Sequence, residues 1–93
     1  MIKVIIERNI AEGMESTYEQ IMKTMLRTMV EAPGYTSGVN YIDMKNSAHR
    51  VIITTWQSEQ AWDMWKHTEQ RAALLAAIKP ILVDEEKITL LTV

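Results

Sequence analysis

The sequence predicts an α+β domain with the order β-α-β-β-α-β, a ferredoxin-like arrangement in which one four-stranded antiparallel sheet carries two helices on one face. Three observations lead there. Four short runs are dense in branched and other apolar residues: Ile2 to Ile10, Tyr35 to Met44, Arg50 to Trp56 and Glu85 to Val93. Two longer segments keep the i, i+3, i+4 spacing of a helix instead. A short polar stretch, Lys45-Asn46-Ser47, joins the second run to the third as a hairpin turn. Ninety-three residues make one domain, residues 1–93.

The first strand holds Ile2, Val4, Ile5, Ile6 and Ile10, residues that fit a pleated surface; Glu12-Gly13 then turns the chain. From Met14 to Glu31, Tyr18, Ile21, Met22, Met25 and Met29 share one helical face, and Pro33-Gly34 ends the segment because the residue before a proline is driven toward extended structure. Ser58 is placed to cap a second helix carrying Ala61, Trp62 and Trp65. Thr68 has the same character, so this helix breaks near His67 and resumes with Arg71, Leu74, Leu75 and Ile78 on one face until Pro80. Asp84-Glu85-Glu86 reads as a solvated loop into the last strand.

Composition narrows the partners. Net charge is −2 with the signs mixed, and there is no basic block for nucleic acid. No uncharged apolar run approaches the roughly 20 residues of a membrane span, and the charged start at Lys3 does not suit a signal peptide. The absence of cysteine excludes disulfides and thiolate chemistry and suits a cytoplasmic location. No histidine or carboxylate pair stands at metal-ligand spacing, so no metal is expected. Glycine-rich phosphate loops and nucleophile elbows are missing.

Three of the strands fail to alternate, through Val4-Ile5-Ile6, Val51-Ile52-Ile53 and Leu90-Leu91. A sheet with one wet face alternates. The expectation is therefore a homodimer in which two copies pack through the open sheet face.

Several motifs resemble the antibiotic biosynthesis monooxygenase superfamily: Ile10-Ala11-Glu12-Gly13 after the first strand, the Ala32-Pro33-Gly34-Tyr35 turn, and Trp56-Gln57-Ser58 followed by Ala61 and Trp65. The resemblance implies a dimeric α/β barrel and, in one branch, oxidation of a small aromatic or polycyclic substrate by a monooxygenase that uses no cofactor. A haem-degrading branch joins a first-strand asparagine, a second-helix tryptophan and a histidine ten residues beyond. Trp65 matches the tryptophan and Asn9 lies near the asparagine, but Leu75 stands where the histidine belongs. A non-catalytic dimer that binds a small ligand is the alternative from another class.

The resemblance makes Trp65 a candidate wall of a substrate pocket between the sheet and the second helix; a tryptophan sealing helix to sheet is the other reading. Arg8, Asn9 and His67 are the remaining candidates for substrate binding, with Asn40 and Tyr41 as further polar groups. Arg8 in an apolar strand suits an acidic or phenolate substrate, or a pairing with Glu7, Glu12 or a helix carboxylate. His67 has the chemistry of a base but no partner at useful spacing, which also fits a surface histidine.

Overall fold

A computed structural model describes residues 1–93. The elements follow as β1 (Ile2–Asn9), α1 (Glu15–Met29), β2 (Tyr35–Asp43), β3 (Asn46–Trp56), α2 (Glu59–Lys66), α3 (Glu69–Ile78), a 3-10 turn over Lys79–Ile81, and β4 (Lys87–Thr92). The sheet order is β2-β3-β1-β4, antiparallel throughout. This is the expected ferredoxin-like topology, with the helices on one face.

Local chemistry explains the boundaries. The Ser58 side chain accepts from the Ala61 amide at 3.1 Å and starts α2. Thr68 accepts from the Arg71 amide at 3.2 Å while its hydroxyl donates to the Trp65 carbonyl at 2.8 Å, so one residue ends α2 and begins α3. Gly34 has φ +83, and a Cβ there would collide with Ala61. Only glycine turns the chain into β2 while α2 presses this close. The β2–β3 turn is shorter than expected. Asp43 Oδ1 accepts from the Lys45 amide at 2.8 Å, and β3 resumes at Asn46.

Register assigns the two faces of the sheet. Val4, Ile6 and Arg8 on β1 lie with Arg50, Ile52, Thr54 and Trp56 on β3, all facing the helices and all buried. Tyr18, Met22, Met25 and Met29 of α1 and Trp62, Trp65, Leu74 and Ile78 of α2 and α3 complete this core. The buried Thr54 hydroxyl donates to the Val4 carbonyl and accepts from Trp56 Nε1 at 2.9 Å, which satisfies the polar groups at the centre. The opposite face carries Ile5, Val39, Tyr41, Val51, Ile53 and Leu91, with Lys3, Glu7 and His49 among them. In the single chain Val39, Tyr41 and Leu91 are about half exposed. No helix is long and apolar enough to cross a membrane.

Candidate functional site

The space under α2 is full. Trp56 meets Tyr35 edge-on at 5.4 Å and Trp62 edge-on at 5.7 Å, and Trp65 stacks on it at 6.4 Å. Gly38 makes room for this group: a Cβ there would sit 2.5 Å from the Tyr35 hydroxyl. Burial in the same cluster raises the Tyr35 pKa. Trp65 is buried, with Nε1 lacking a partner, and its outer edge lines a cavity of about 290 Å³ between α1 and α2, together with Thr28, Ala32 and Thr68. That cavity lies in the helix layer and not between sheet and helix.

A second hollow, about 270 Å³, opens between α1 and the β2–β3 hairpin. Tyr18, Met22, Leu26 and Ile52 supply its apolar walls, and Glu19, Lys23, Asn40, Tyr41 and Arg50 its polar ones. It exists because β2 turns small or polar residues inward here. Gly38, Asn40 and Ile42 share the register of Thr54, Ile52 and Arg50, and β2 is the sheet edge. Tyr41 belongs by register to the outer face and also to the rim of this hollow.

Arg50 closes one end. Its Nε donates to the Ser47 carbonyl at 2.7 Å and its Nη1 to Glu19 at 3.1 Å. Tyr18 packs against two cations from paired sheet positions, with the guanidinium carbons of Arg8 and Arg50 each 5.9 Å from its ring centroid. Arg8 Nη1 donates to the Tyr18 hydroxyl at 3.1 Å and approaches the Met22 sulfur at 3.4 Å.

Arg8 itself is sealed in the core. Its Nε donates to Glu86 at 3.0 Å, and its Nη2 lies 2.9 Å from the same oxygen. The other Glu86 oxygen takes Arg71 Nη2. The expectation of a solvated Asp84-Glu85-Glu86 loop holds for Asp84 and Glu85, which are exposed, and needs correction at Glu86: its side chain is only 12% exposed, drawn inward because two buried guanidiniums demand a counter-charge. Arg71 Nε and Nη1 have no acceptor, but the guanidinium lies 5.3 Å from the Trp62 ring centroid, whose π-face compensates in part. Burial lowers the Arg71 pKa; Glu86 opposes this and Arg8 reinforces it.

The other candidates are scattered. Asn9 lies on the opposite sheet face and donates to Asp84 at 3.3 Å. His67 is exposed at the α2 C-terminus; its Nδ1 is 2.8 Å from the Asp63 carbonyl. Of Trp65, Arg8, Asn9 and His67, only Arg8 touches the wall of the α1–hairpin hollow, through Tyr18 and Met22. Asn40 and Tyr41 do line it, while Tyr18 and Arg50 were not anticipated. Counting back by twos from Trp56 through Thr54 and Ile52 reaches Arg50, so strand parity already grouped that charge with these three, and the structure turns their face inward.

Outside this face, His49 bridges two carboxylates, with Nδ1 2.9 Å from Asp43 and Nε2 3.3 Å from Glu7. The Asp43 hydrogen bond, with help from Glu7, raises the His49 pKa against the opposing effect of burial, and the same His49 bond lowers that of Asp43.

Among solved structures, the fold matches an antibiotic biosynthesis monooxygenase at 20% identity and TM-score 0.92, covering 100% of this chain and 98% of that one. It matches a conserved protein from Methanosarcina mazei Go1 at 13% identity and TM-score 0.91, covering 97% and 89%. It also matches a mutant of SnoaB, a cofactor-independent oxygenase from Streptomyces nogalater, at 13% identity and TM-score 0.85, covering 99% and 92%. These likenesses establish the fold. No curated protein matches the chain. A family model described as antibiotic biosynthesis monooxygenase matches residues 1–77, most of the sequence, and the chain accordingly belongs to that family.

Proposed function

We propose that the protein is a cofactor-independent monooxygenase that oxidises a small aromatic or polycyclic substrate in the hollow between α1 and the β2–β3 hairpin. The observation that carries this reading is the hollow's composition: apolar walls of Met22, Leu26 and Ile52 with a guanidinium, Arg50, at one end. Such a slot desolvates an aromatic ring while a cation favours its ionised form. Family membership and the description of the Streptomyces nogalater neighbour support it.

The chemistry balances without an added reductant. A ring methylene flanked by a phenolic system loses a proton, and the carbanion passes two electrons to dioxygen to form a peroxide. Loss of water then leaves a carbonyl: CH2 plus O2 gives C=O plus H2O. The chain's part is to exclude bulk water and hold the substrate oxygen as an anion.

The working unit is proposed to be a homodimer packed through the outer sheet face, where Ile5, Val39, Val51, Ile53 and Leu91 remain uncovered or half covered. A partner seated there would adjoin the Tyr41 rim of the hollow. Light scattering should return twice the chain mass at micromolar concentration; the mass of one chain would refute this assembly.

Oxygen uptake with hydroxylated anthrones tests the reaction. Wild type should consume oxygen, and Leu26→Trp, which fills the hollow, should lower kcat/KM by at least about tenfold with the fold retained. No uptake above the spontaneous rate, or uptake untouched by filling the hollow, would refute it.

A further inference from the structure

The outer face of the sheet joins an apolar centre to a cluster of ionisable groups. Register sets Val39, Ile53 and Ile5 side by side across β2, β3 and β1. Tyr41, Val51 and Glu7 form the next row toward the hairpin turn, with Lys87 of β4 opposite Glu7. His49 follows one row further and bridges two strands, with Nδ1 2.9 Å from Asp43 and Nε2 3.3 Å from Glu7. These three side chains are each about a third exposed in the single chain. The helices pack on the opposite face. β1 is eight residues long; four such strands at a spacing of about 4.8 Å present a flat area on the order of 500 Å². Two such faces together bury about 1,000 Å², the lower bound for a specific protein interface. An association this close to the bound responds to a single uncompensated charge.

We propose that pairing of two copies through this face is linked to a proton on His49: the second copy seats on the sheet when the imidazole is charged and leaves when it is neutral. The inference rests on the homodimer reading above and adds what regulates that assembly. The groups facing His49 are countable element by element. β1 supplies Glu7, β2 supplies Asp43 and the Tyr41 hydroxyl, and β4 supplies Lys87 opposite Glu7. Lys3, at the far end of β1, donates to Thr55. Lys45 in the turn and Asp84, held by Asn9, are exposed at the border. With His49 protonated, two cations stand against two carboxylates and the cluster is neutral. With His49 neutral, Lys87 alone answers Asp43 and Glu7, and one carboxylate is left without a counter-charge. A partner sheet laid over that carboxylate removes its water and supplies nothing in return, which weakens the pair. The Asp43 bond raises the His49 pKa against the effect of burial, with Glu7 adding to it, so the proton is held above the ordinary value of 6.5.

Sedimentation equilibrium at constant ionic strength measures the dimer Kd. Each proton taken up on pairing changes Kd by up to about tenfold per pH unit, and the dimer carries two copies of His49. Wild type should therefore dissociate at least about tenfold more readily at about pH 8.5 than at about pH 6. His49→Gln should be weak at both values. Asp43→Asn removes the uncompensated charge and should stay tight at the alkaline one. His67→Gln alters the other histidine, exposed at the end of α2, and should titrate as wild type does. The mass of one chain in every sample overturns this inference together with the homodimer reading. A dimer whose Kd is unchanged by pH, or tightens in alkali, overturns the proton linkage and leaves the homodimer standing. A pH dependence that survives His49→Gln does the same. If the glutamine variant fails to fold, Asp43→Asn decides: a Kd as weak as wild type in alkali overturns the linkage.

Discussion

The two halves of the interior are built from the same sheet and packed to opposite ends. Under α2, Trp56, Trp62, Trp65 and Tyr35 fill the volume with interlocked rings. Under α1, methionines and one tyrosine face an edge strand that presents glycine, asparagine and isoleucine, and a hollow of about 270 Å³ remains. The difference teaches where stability and chemistry are separated. Rigid aromatic packing holds the frame on one side, while the other keeps an open hollow lined in part by Asn40, Tyr41 and Arg50 near the sheet edge.

The sharpest way to break this contrast is to hollow out the filled half. Trp56→Ala removes the ring that three others lean on and leaves Thr54 without the donor it accepts from. The expected cost is about 3–5 kcal/mol, read by chemical denaturation; a loss under about 1 kcal/mol would show that the tryptophan cluster is not the frame. The reverse experiment fills the open half. Asn40→Leu adds apolar volume on an exposed edge position, and stability should move by no more than about 0.5 kcal/mol. A large loss would mean the hollow is held in shape by Asn40.

The smallest effect lies on the far face of the sheet. His49 has a raised pKa, so its contribution to stability is complete below the unfolded value near 6.5 and fades as pH rises through the higher folded value. Asp43 has a lowered pKa; its share is present above its ordinary value of 3.8 and fades as pH falls through the lower folded one. Between those limits both act together. The melting temperature of His49→Gln should therefore fall furthest below wild type near pH 5–6 and converge on it as pH rises through the higher folded value. A difference independent of pH would assign His49 a packing role only.

Local signals carried much of this into the sequence. Branched runs marked the four strands, and Ser58 and Thr68 marked both starts and the break between α2 and α3. That Arg8 and Arg50 share a face with Ile6 and Ile52 was countable, though Val4-Ile5-Ile6 and Val51-Ile52-Ile53 left open which face turns inward. The hollow was not, because it depends on which residues β2 turns toward α1, and that is settled by pairing with β3 and the irregularities at both ends of β2. Nor was the role of Glu86, which stands 78 residues from Arg8 in sequence and 15 from Arg71. No local pattern announces a partner at that distance. Trp65 illustrates a further limit: the same residue type and spacing serve a core seal and a pocket wall, and here it does both, at a cavity in the helix layer.

Glu86 enters the core from the segment between the 3-10 turn and β4, and that position has a consequence for what holds the fold closed. Ile10 bridges Leu82, the Ala11 amide donates to Ile81 and the Val83 amide to Asn9, so this segment is stitched to the end of β1 just before it delivers its carboxylate. Without that carboxylate, two buried guanidiniums would have no counter-ion, a strongly unfavourable arrangement for the core. One carboxylate, carried by the segment between Ile81 and β4, thus ties the sheet, α3 and that segment together through two buried cations.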